Sequence, residues 1–306
     1  MVVHLPPTTL DKQLWTWRGH QIAYTVQGTG QPLVLIHGFG ASLGHWRKNI
    51  APLAQAGYRV YALDLLGFGD SDQPAIAYSL ELWQTLLYDF WSQFIQTPTV
   101  YIGNSIGGLL TLMMLADHPG TARAGAVLNC AGGLNHRPDE LQAPLSWVMA
   151  AFTQLVSSNW VGPMLFSQVR RKGNIHNSLR QVYCNQAAIT PELVDMIYTP
   201  ASRPTAQQVF ASIITAPAGP RPGELLPTIA HPLLVLWGEK DPWTPIQGAE
   251  IYRKLAQDPD RCAPVTFHSI AETGHCPHDE RPEVVNPLLL GWLQEIDRFN
   301  SGDAIQ

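Results

Sequence analysis

Thr99-Val-Tyr-Ile-Gly103-Asn104-Ser105-Ile106-Gly107-Gly108-Leu109-Leu110 is the stretch on which the reading of this chain turns. Its first five residues are a short apolar, β-prone run. The residues from 106 to 117 read as an apolar helix, ended before Pro119. Between them lies Gly103-Asn-Ser-Ile-Gly107, a G-x-S-x-G pattern. A serine that is to attack a carbonyl must project above its sheet, and a sharp strand-to-helix turn does that. The flanking glycines let neighbouring backbone pass where a side chain would clash. Such a pentapeptide arises by chance in about one chain in ten of this length at ordinary residue frequencies. A strand before it and a helix after it supply the context that chance does not.

Working outward, the same alternation repeats. Trp15 to Arg18 and Ile22 to Val26 flank a Gly-containing turn and predict a hairpin. Leu33-Val-Leu-Ile36 is a continuous apolar run, as expected of a strand covered on both faces. A glycine-rich turn and a helical stretch near 43–56 follow, then a strand over Arg59 to Leu63. From Ser79 to Gln96, Trp83, Leu86, Leu87, Phe90, Trp91 and Phe94 recur at helix spacing. Ala124 to Leu128 reads as another strand. Strands then pause between roughly 134 and 227, where the pattern is helices with Pro-rich connectors. They resume over Pro232 to Trp237 and Pro264 to Ser269, before a last helix over about 282–298. Strands alternating with helices predict an α/β fold, a mostly parallel sheet flanked by helices. The strand-free middle predicts a helical insertion. The expected organisation is a core of residues 1–133 and 228–306 with a cap, or lid, over 134–227.

Bulk properties narrow the function. The chain has 306 residues, 45% of them hydrophobic and only 14% charged, against roughly 25% charged in an average protein. A low charge count with 10 Trp is consistent with a greasy cleft or patch, as well as with a well-filled core. The net charge of −5, with no long basic run, argues against nucleic acid as a partner. Four cysteines, Cys130, Cys184, Cys262 and Cys276, have neither zinc-finger nor CxxC spacing, which argues against a metal site or a disulfide scaffold. Met1 to Pro7 lacks a basic segment followed by an apolar one, so no signal peptide is expected. No apolar run approaches the ~18 residues of a spanning helix.

A serine hydroxyl is a weak nucleophile without a base. Among 11 histidines the position of His275, in Glu272-Thr-Gly-His275 after the last strand, singles it out; His278 and His268 are its competitors. The order nucleophile, acid, histidine is the one this fold uses. The acid that orients the imidazole belongs at a strand end between the two. Asp241, in Gly238-Glu-Lys-Asp241-Pro-Trp243, follows the 232–237 strand, with Glu239 and Asp258 as rivals. The preceding strand ends in Leu128-Asn129-Cys130, with no carboxylate. His37-Gly38-Phe39-Gly40 follows the first parallel strand. There the Phe39 N–H and the Ile106 N–H are the candidate oxyanion donors. Asp64-Leu-Leu-Gly67-Phe-Gly69-Asp-Ser71-Asp72 lacks the third glycine and the helix of a phosphate loop and reads as structural.

With these segments in hand the chain resembles the α/β-hydrolase superfamily over nearly its whole length outside the cap. Members that open epoxides or displace halide carry Asp at the nucleophile position, so Ser105 disfavours those chemistries. Gly38-Phe-Gly-Ala-Ser-Leu-Gly-His-Trp46, Gly103 to Gly108, Trp237-Gly-Glu-Lys-Asp-Pro-Trp243 and Gly274-His-Cys-Pro-His-Asp-Glu280 resemble the pheophytinase and chlorophyll dephytylase group, which removes the phytyl ester from chlorophyll-type pigments. That resemblance implies Ser105, Asp241 and His275 as the triad of a carboxylic ester hydrolase. It also implies a lipophilic ester substrate, with which the cap agrees. Leu145 to Val156 is strongly apolar and is followed by Trp160, Met164, Leu165 and Phe166. Such a helix lines a prenyl-sized cavity, touches a membrane, or packs on the core. Trp147 and Phe152 of this stretch, with Trp243, are the expected substrate-binding side chains. The expected location is cytoplasmic or peripheral to a membrane such as a thylakoid. A generic carboxylesterase or lipase, a C–C bond hydrolase using the same three residues, and a non-catalytic ligand-binding member of the fold stay open. No metal or organic cofactor is implied.

Overall fold

The architecture is a computed structural model that describes residues 10–135, 153–156, 158 and 160–301. Eight strands form one sheet: β1 (Gln13–Trp17), β2 (His20–Gln27), β3 (Pro32–Ile36), β4 (Arg59–Leu63), β5 (Thr99–Asn104), β6 (Ala122–Leu128), β7 (Leu233–Gly238) and β8 (Val265–Ile270). Their spatial order is β1-β2-β4-β3-β5-β6-β7-β8. β2 runs antiparallel to both of its neighbours, and β4 through β8 are all parallel. The eight strands correspond to those expected from the apolar runs.

The apolar runs read as they do because the sheet is covered on both faces. β3 is buried throughout, and its parity divides it. Val34 and Ile36 enter one core with Trp83, Leu86, Phe90 and Leu109. Leu33 and Leu35 enter the other with Trp46, Ile50, Leu289 and Leu293. The first face is covered by α2 (Leu80–Phe94) and α3 (Ile106–Asp117), the second by α1 (Ile50–Gln55) and α11 (Pro282–Ser301). Ser79 caps α2 by accepting from the Leu82 N–H at 3.2 Å, which fixes where that helix starts.

The single helix expected near 43–56 is two pieces, a 3₁₀ turn over Leu43–Trp46 and α1. The break has a cause. The Leu43 N–H donates to the Asp64 carboxylate at 2.6 Å, and the Asn49 amide donates to the His278 carbonyl at 3.1 Å. Those bonds tie the turn to distant chain, and Pro52, with no N–H to give to the Lys48 carbonyl, stops one helix from running through; that carbonyl accepts from Asn286 Nδ2 at 3.0 Å instead.

Between β6 and β7 the described residues carry helices and no strand: α4 (Val161–Val169), α5 (Lys172–Val182), α6 (Pro191–Ala201), α7 (Ala206–Thr215) and the short α8 (Pro222–Leu225). α5 and α6 build a small core of their own from Ile175, Leu179, Val182, Leu193 and Val194. After β7 come α9 (Glu250–Ala256), then β8, the one-turn α10 (Pro277–Glu280) and α11. Among the described residues no helix is long and apolar enough to cross a membrane.

Register positions the site. Ile36 pairs with Gly103, Gly103 with Val127, Leu128 with Leu236, and Gly238 with Ile270. The parallel strands therefore end at one edge, and the loops that follow them meet there.

The turn between β5 and α3 on that edge leaves no room for side chains at its glycines. A Cβ at Gly103 would lie 2.0 Å from the Gly107 carbonyl oxygen, and one at Gly107 would lie 2.3 Å from the Ile36 oxygen and 2.7 Å from the His37 oxygen. Gly107→Ala must part α3 from β3 and is expected to lower the free energy of unfolding by at least about 2 kcal/mol. Gly291, exposed in α11 with nothing near its hypothetical Cβ, is the contrast. Gly291→Ala is expected to raise stability by about 0.5–1 kcal/mol. Urea unfolding of the two variants checks the pair, and equal stabilities would contradict the steric account.

Candidate active site

Ser105 occupies the turn itself, with φ 56° and ψ −120°. A β-carbon-bearing residue pays strain in that region, and the surroundings hold it there. Its N–H donates to the Leu128 carbonyl at 3.0 Å, and its carbonyl accepts from Leu109 and Ala131, each at 3.1 Å. The side chain is 8% exposed, at the end of a strand that is otherwise sealed.

Asp241 and His275 are brought together across the loops after β7 and β8. His275 Nδ1 lies 2.6 Å from Asp241 Oδ2. The carboxylate is buried and fully engaged. Oδ1 accepts from the N–H groups of Trp243 (2.7 Å) and Thr244 (3.1 Å). Oδ2 also accepts from Asn129 Nδ2 at 2.8 Å and, in a very short bond, from the Thr244 hydroxyl. Burial alone would push this carboxyl up. The hydrogen bonds and charge of His275 and the bonds from Thr244 outweigh it and hold the group below its usual range, so it is ionised. An ionised acceptor puts the imidazole proton on Nδ1 and leaves Nε2 as the nitrogen able to take a proton.

Ser105 reaches this pair through its neighbour. Asn104 Nδ2 donates to the His275 carbonyl at 2.9 Å and to the Leu128 carbonyl at 3.1 Å, so the strand end that carries the serine is bonded to the residue that carries the imidazole. Among the described residues Ser105 Oγ makes no hydrogen bond to the ring, the looser geometry common in unliganded sites.

The competitors separate clearly. His278 is fully buried, stacks on Trp46 at 4.0 Å, and neither ring nitrogen has a partner. Burial first, then the nearby cationic and imidazole groups, pushes its pKa well down, so it is a neutral core residue. His268 lies within β8. Glu239 and Asp258 are exposed, away from the enclosed loops that hold His275.

The loop after β3 closes on the serine. A Cβ at Gly38 would stand 3.2 Å from Ser105 Cβ. Phe39 follows directly, and neither its N–H nor that of Ile106 donates to a carbonyl among the described residues. Both amides are thus free for an incoming oxygen, and the Ile106 amide opens α3, where the helix dipole adds to it. His37 pins this loop. Its Nε2 accepts from the Leu65 N–H at 3.0 Å, so Nδ1 carries the proton and donates to the Gly38 carbonyl at 2.8 Å. Burial pushes its pKa down to about 4, which keeps the ring neutral.

The segment from Asp64 to Asp72 is structural, as its sequence implies. Asp64 accepts from the N–H groups of Leu43 (2.6 Å) and Asp70 (2.7 Å), and burial pushes its pKa up to about 6.

Of the three expected substrate-binding residues, Trp147 and Phe152 lie outside the described residues. Trp243 is 52% exposed with its ring 5.3 Å from that of His275, a half-open apolar wall beside the imidazole. Reading the sequence missed two further aromatic groups. Phe39 packs against Phe68 at 5.7 Å and Phe210 at 6.2 Å, and Phe210 against Phe166 at 5.2 Å. An aromatic run thus passes from the loop beside Ser105 to α7 and α4. It also missed Asn104, Asn129 and Thr244, whose only sequence signal is a polar side chain next to a strand end.

Chemically, the arrangement offers a serine on strained backbone, an imidazole oriented by a carboxylate, and two free amides, with aromatic rings on the adjoining loops. Known proteins agree with the architecture. Residues 33–288 match the model of the alpha/beta hydrolase family. The chain is 27% identical to chloroplastic pheophytinase of Arabidopsis thaliana over 307 residues, covering 87% of this chain and 62% of that protein. It is 27% identical to 2-hydroxymuconate semialdehyde hydrolase of a Pseudomonas strain, covering 88% of this chain and 89% of the relative. It is 35% identical to bifunctional epoxide hydrolase 2 of Sus scrofa, over 41% of this chain and 24% of that protein. The chain therefore spans less than two thirds of the first and third of these relatives. Among solved structures, a membrane phospholipase A superposes with a TM-score of 0.75 at 24% identity, covering 94% of this chain and 87% of that one. The serine hydrolase CarC of carbazole degradation does so with a TM-score of 0.72 at 24% identity, covering 94% and 99%. These likenesses bear on the fold, and they repeat what the sheet order and the strand-end loops display. By its matched residues and its architecture, the chain belongs to the alpha/beta hydrolase family.

Proposed function

We propose that this hydrolase cleaves a lipophilic carboxylic ester through an acyl-enzyme, with Ser105 as nucleophile, His275 as base and Asp241 as its orienting acid. The observation that carries the reading is the 2.6 Å contact between His275 Nδ1 and the ionised Asp241, on loops bonded to the strand end of Ser105. Ser105 Oγ attacks the ester carbonyl while His275 Nε2 takes its proton. The oxygen that becomes negative is met by the Phe39 and Ile106 amides. The tetrahedral intermediate collapses, the imidazolium returns its proton to the leaving alkoxide, and the alcohol departs. Water then attacks the acyl group with His275 again as base, and the acid is released.

An apolar substrate is supported by the rings of Phe39, Phe166, Phe210 and Trp243 around the approach to the serine. Phytyl esters of chlorophyll-type pigments are the class favoured by the resemblance to pheophytinase. Residues 1–133 and 228–306 then form the catalytic core, with 134–227 as the lid that selects the ester. C–C bond cleavage by the same three residues is the second reading, favoured by near-full-length similarity to 2-hydroxymuconate semialdehyde hydrolase.

Peripheral contact with an anionic bilayer belongs to the same proposal. Trp160 is 90% and Met164 63% exposed, one helical turn apart on α4. Arg170, Arg171 and Lys172 follow, lining with Ser167 and Tyr198 a cavity of about 410 Å³. Residues 141–191 contain neither Asp nor Glu, in a chain whose net charge is −5. Lys172 is ion-paired with Asp195, and exposed aromatic and sulfur side chains beside Arg170 and Arg171 fit a negatively charged headgroup layer.

Incubation with chlorophyll or pheophytin is expected to release phytol, and Ser105→Ala to slow that release at least about a thousandfold with the fold intact. Turnover confined to short p-nitrophenyl esters or to a diketone would replace the phytyl reading, and near-native esterase activity in Ser105→Ala would overturn the triad. Co-sedimentation is expected with phosphatidylglycerol vesicles but not with phosphatidylcholine ones, and Trp160→Ala with Met164→Ala should weaken it about tenfold or more. Equal binding to both vesicles, or an unaffected double variant, would remove the membrane from the account.

A further inference from the structure

The loop that carries His275 is held from two sides, by the strand ends of the sheet and by the helical insertion. The His275 N–H donates to the Val182 carbonyl, at the end of α5, at 2.8 Å. A Cβ at Gly274 would lie 1.9 Å from that same oxygen, so the two backbones touch with no side chain between them. Glu280 bridges the same two segments, accepting from the Gly274 N–H at 2.8 Å and the Asn185 N–H at 2.6 Å.

Tyr183 stands at the centre of this seam. Its hydroxyl lies 2.8 Å from Asp279 Oδ2 and 2.7 Å from His45 Nε2. Asp279 also forms ion pairs with Arg47 (2.9 Å) and Lys48 (3.1 Å). Burial would raise this carboxyl, but the charges of Arg47 and Lys48 and the bond from the Tyr183 hydroxyl hold it below its usual range. It is therefore an acceptor, and the phenol donates to it. The phenol oxygen is then free to accept from the His45 Nε2–H. Burial keeps His45 neutral, with a pKa of about 4, and its Nδ1 without a partner, which is the tautomer this relay requires. The chain of bonds runs His45 to Tyr183 to Asp279. It joins the Leu43–Trp46 turn, just beyond the Phe39 loop, through the insertion to the segment four residues past His275. Tyr183 is 1% exposed and Asp279 is fully buried, so water cannot substitute for either.

We propose that Tyr183 is a positioning residue, a hydroxyl supplied by the insertion that sets the seat of the His275 loop against the Leu43–Trp46 turn. This rests on the reading of His275 as the base. Its consequence is that the same segment that covers the substrate also aligns the group that activates Ser105. A buried relay of this kind has one good arrangement, and removing its middle member frees two polar ends that no longer fix the distance between their loops.

Tyr183→Phe keeps the ring and its packing against Leu179, Val194 and Cys276 and removes only the hydroxyl. On an ester substrate, kcat is expected to fall about tenfold while KM changes by less than about twofold, the value of one buried hydrogen bond to a charged group lost from the alignment of the base. The rate of Ser105 phosphonylation by a fluorophosphonate should fall by the same factor. Tyr88→Phe, exposed on α2 and outside the relay, should leave both rates unchanged. If Tyr183→Phe does not fold, Glu280→Gln weakens the same seam from its other bridge and carries the test. Native kcat and labelling rate in a folded Tyr183→Phe would overturn the inference, and so would a change in KM alone. Those results would leave the triad standing, provided Ser105→Ala is inactive. Activity in Ser105→Ala would instead remove the reading on which the inference rests.

Discussion

The carbonyl oxygens of Ile36 and His37 lie where a side chain on residue 107 would have to be. That contact lets the first turn of α3 press against the end of β3, and the rest of the site depends on it. Because α3 starts so close to β3, the chain leaving β5 must reverse within one residue, and Ser105 takes the strained backbone that results. Because Gly38 then lies against Ser105, the Phe39 amide stands beside the serine rather than above open solvent. One steric requirement thus supplies the serine at the strand end, the free helix-start amide and the second amide together.

Around that turn three buried carboxylates have been given different environments. Asp241 accepts from an imidazole, an amide, a hydroxyl and two backbone N–H groups, and stays ionised to fix one tautomer of His275. Asp279 is paired with Arg47 and Lys48 and receives the phenol of Tyr183. Asp64 has two backbone donors, and burial dominates, raising its pKa to about 6. The first orients the His275 imidazole, the second joins the His275 loop to the insertion, and the third holds a turn. What separates them is the number and charge of their donors, since all three are removed from water.

Much of this was legible in the sequence because it is local. Strand runs such as Leu33 to Ile36 are apolar at every position because both faces are covered, and G-x-S-x-G records a steric fact about five adjacent residues. The order Ser105, Asp241, His275 follows from the order of the strands. The illegible parts are contacts between distant residues. Asn129 drew notice only for not being a carboxylate, yet its amide holds Asp241 from 112 positions away. Tyr183 and Asp279 are 96 residues apart, and no periodicity links them. His278 and His275 differ by three positions, and only the turn begun at Pro277, which stacks His278 on Trp46, tells them apart. The helix expected over 43–56 is broken ahead of Pro52, and the Lys48 carbonyl that Pro52 cannot bond is taken up by Asn286, outside any local window. Trp147 and Phe152 fall outside the described residues; among the described ones Phe166 packs on Phe210, and Trp243 stands beside His275.

The central claim is that Ser105 is a nucleophile activated by His275. Mass mapping after treatment with a fluorophosphonate tests it most directly, since the adduct records both which hydroxyl reacts and how fast. The account predicts one adduct, on Ser105, forming at least about a hundredfold more slowly in His275→Ala. An adduct on a different serine, or a Ser105 adduct that forms as fast without His275, would contradict it.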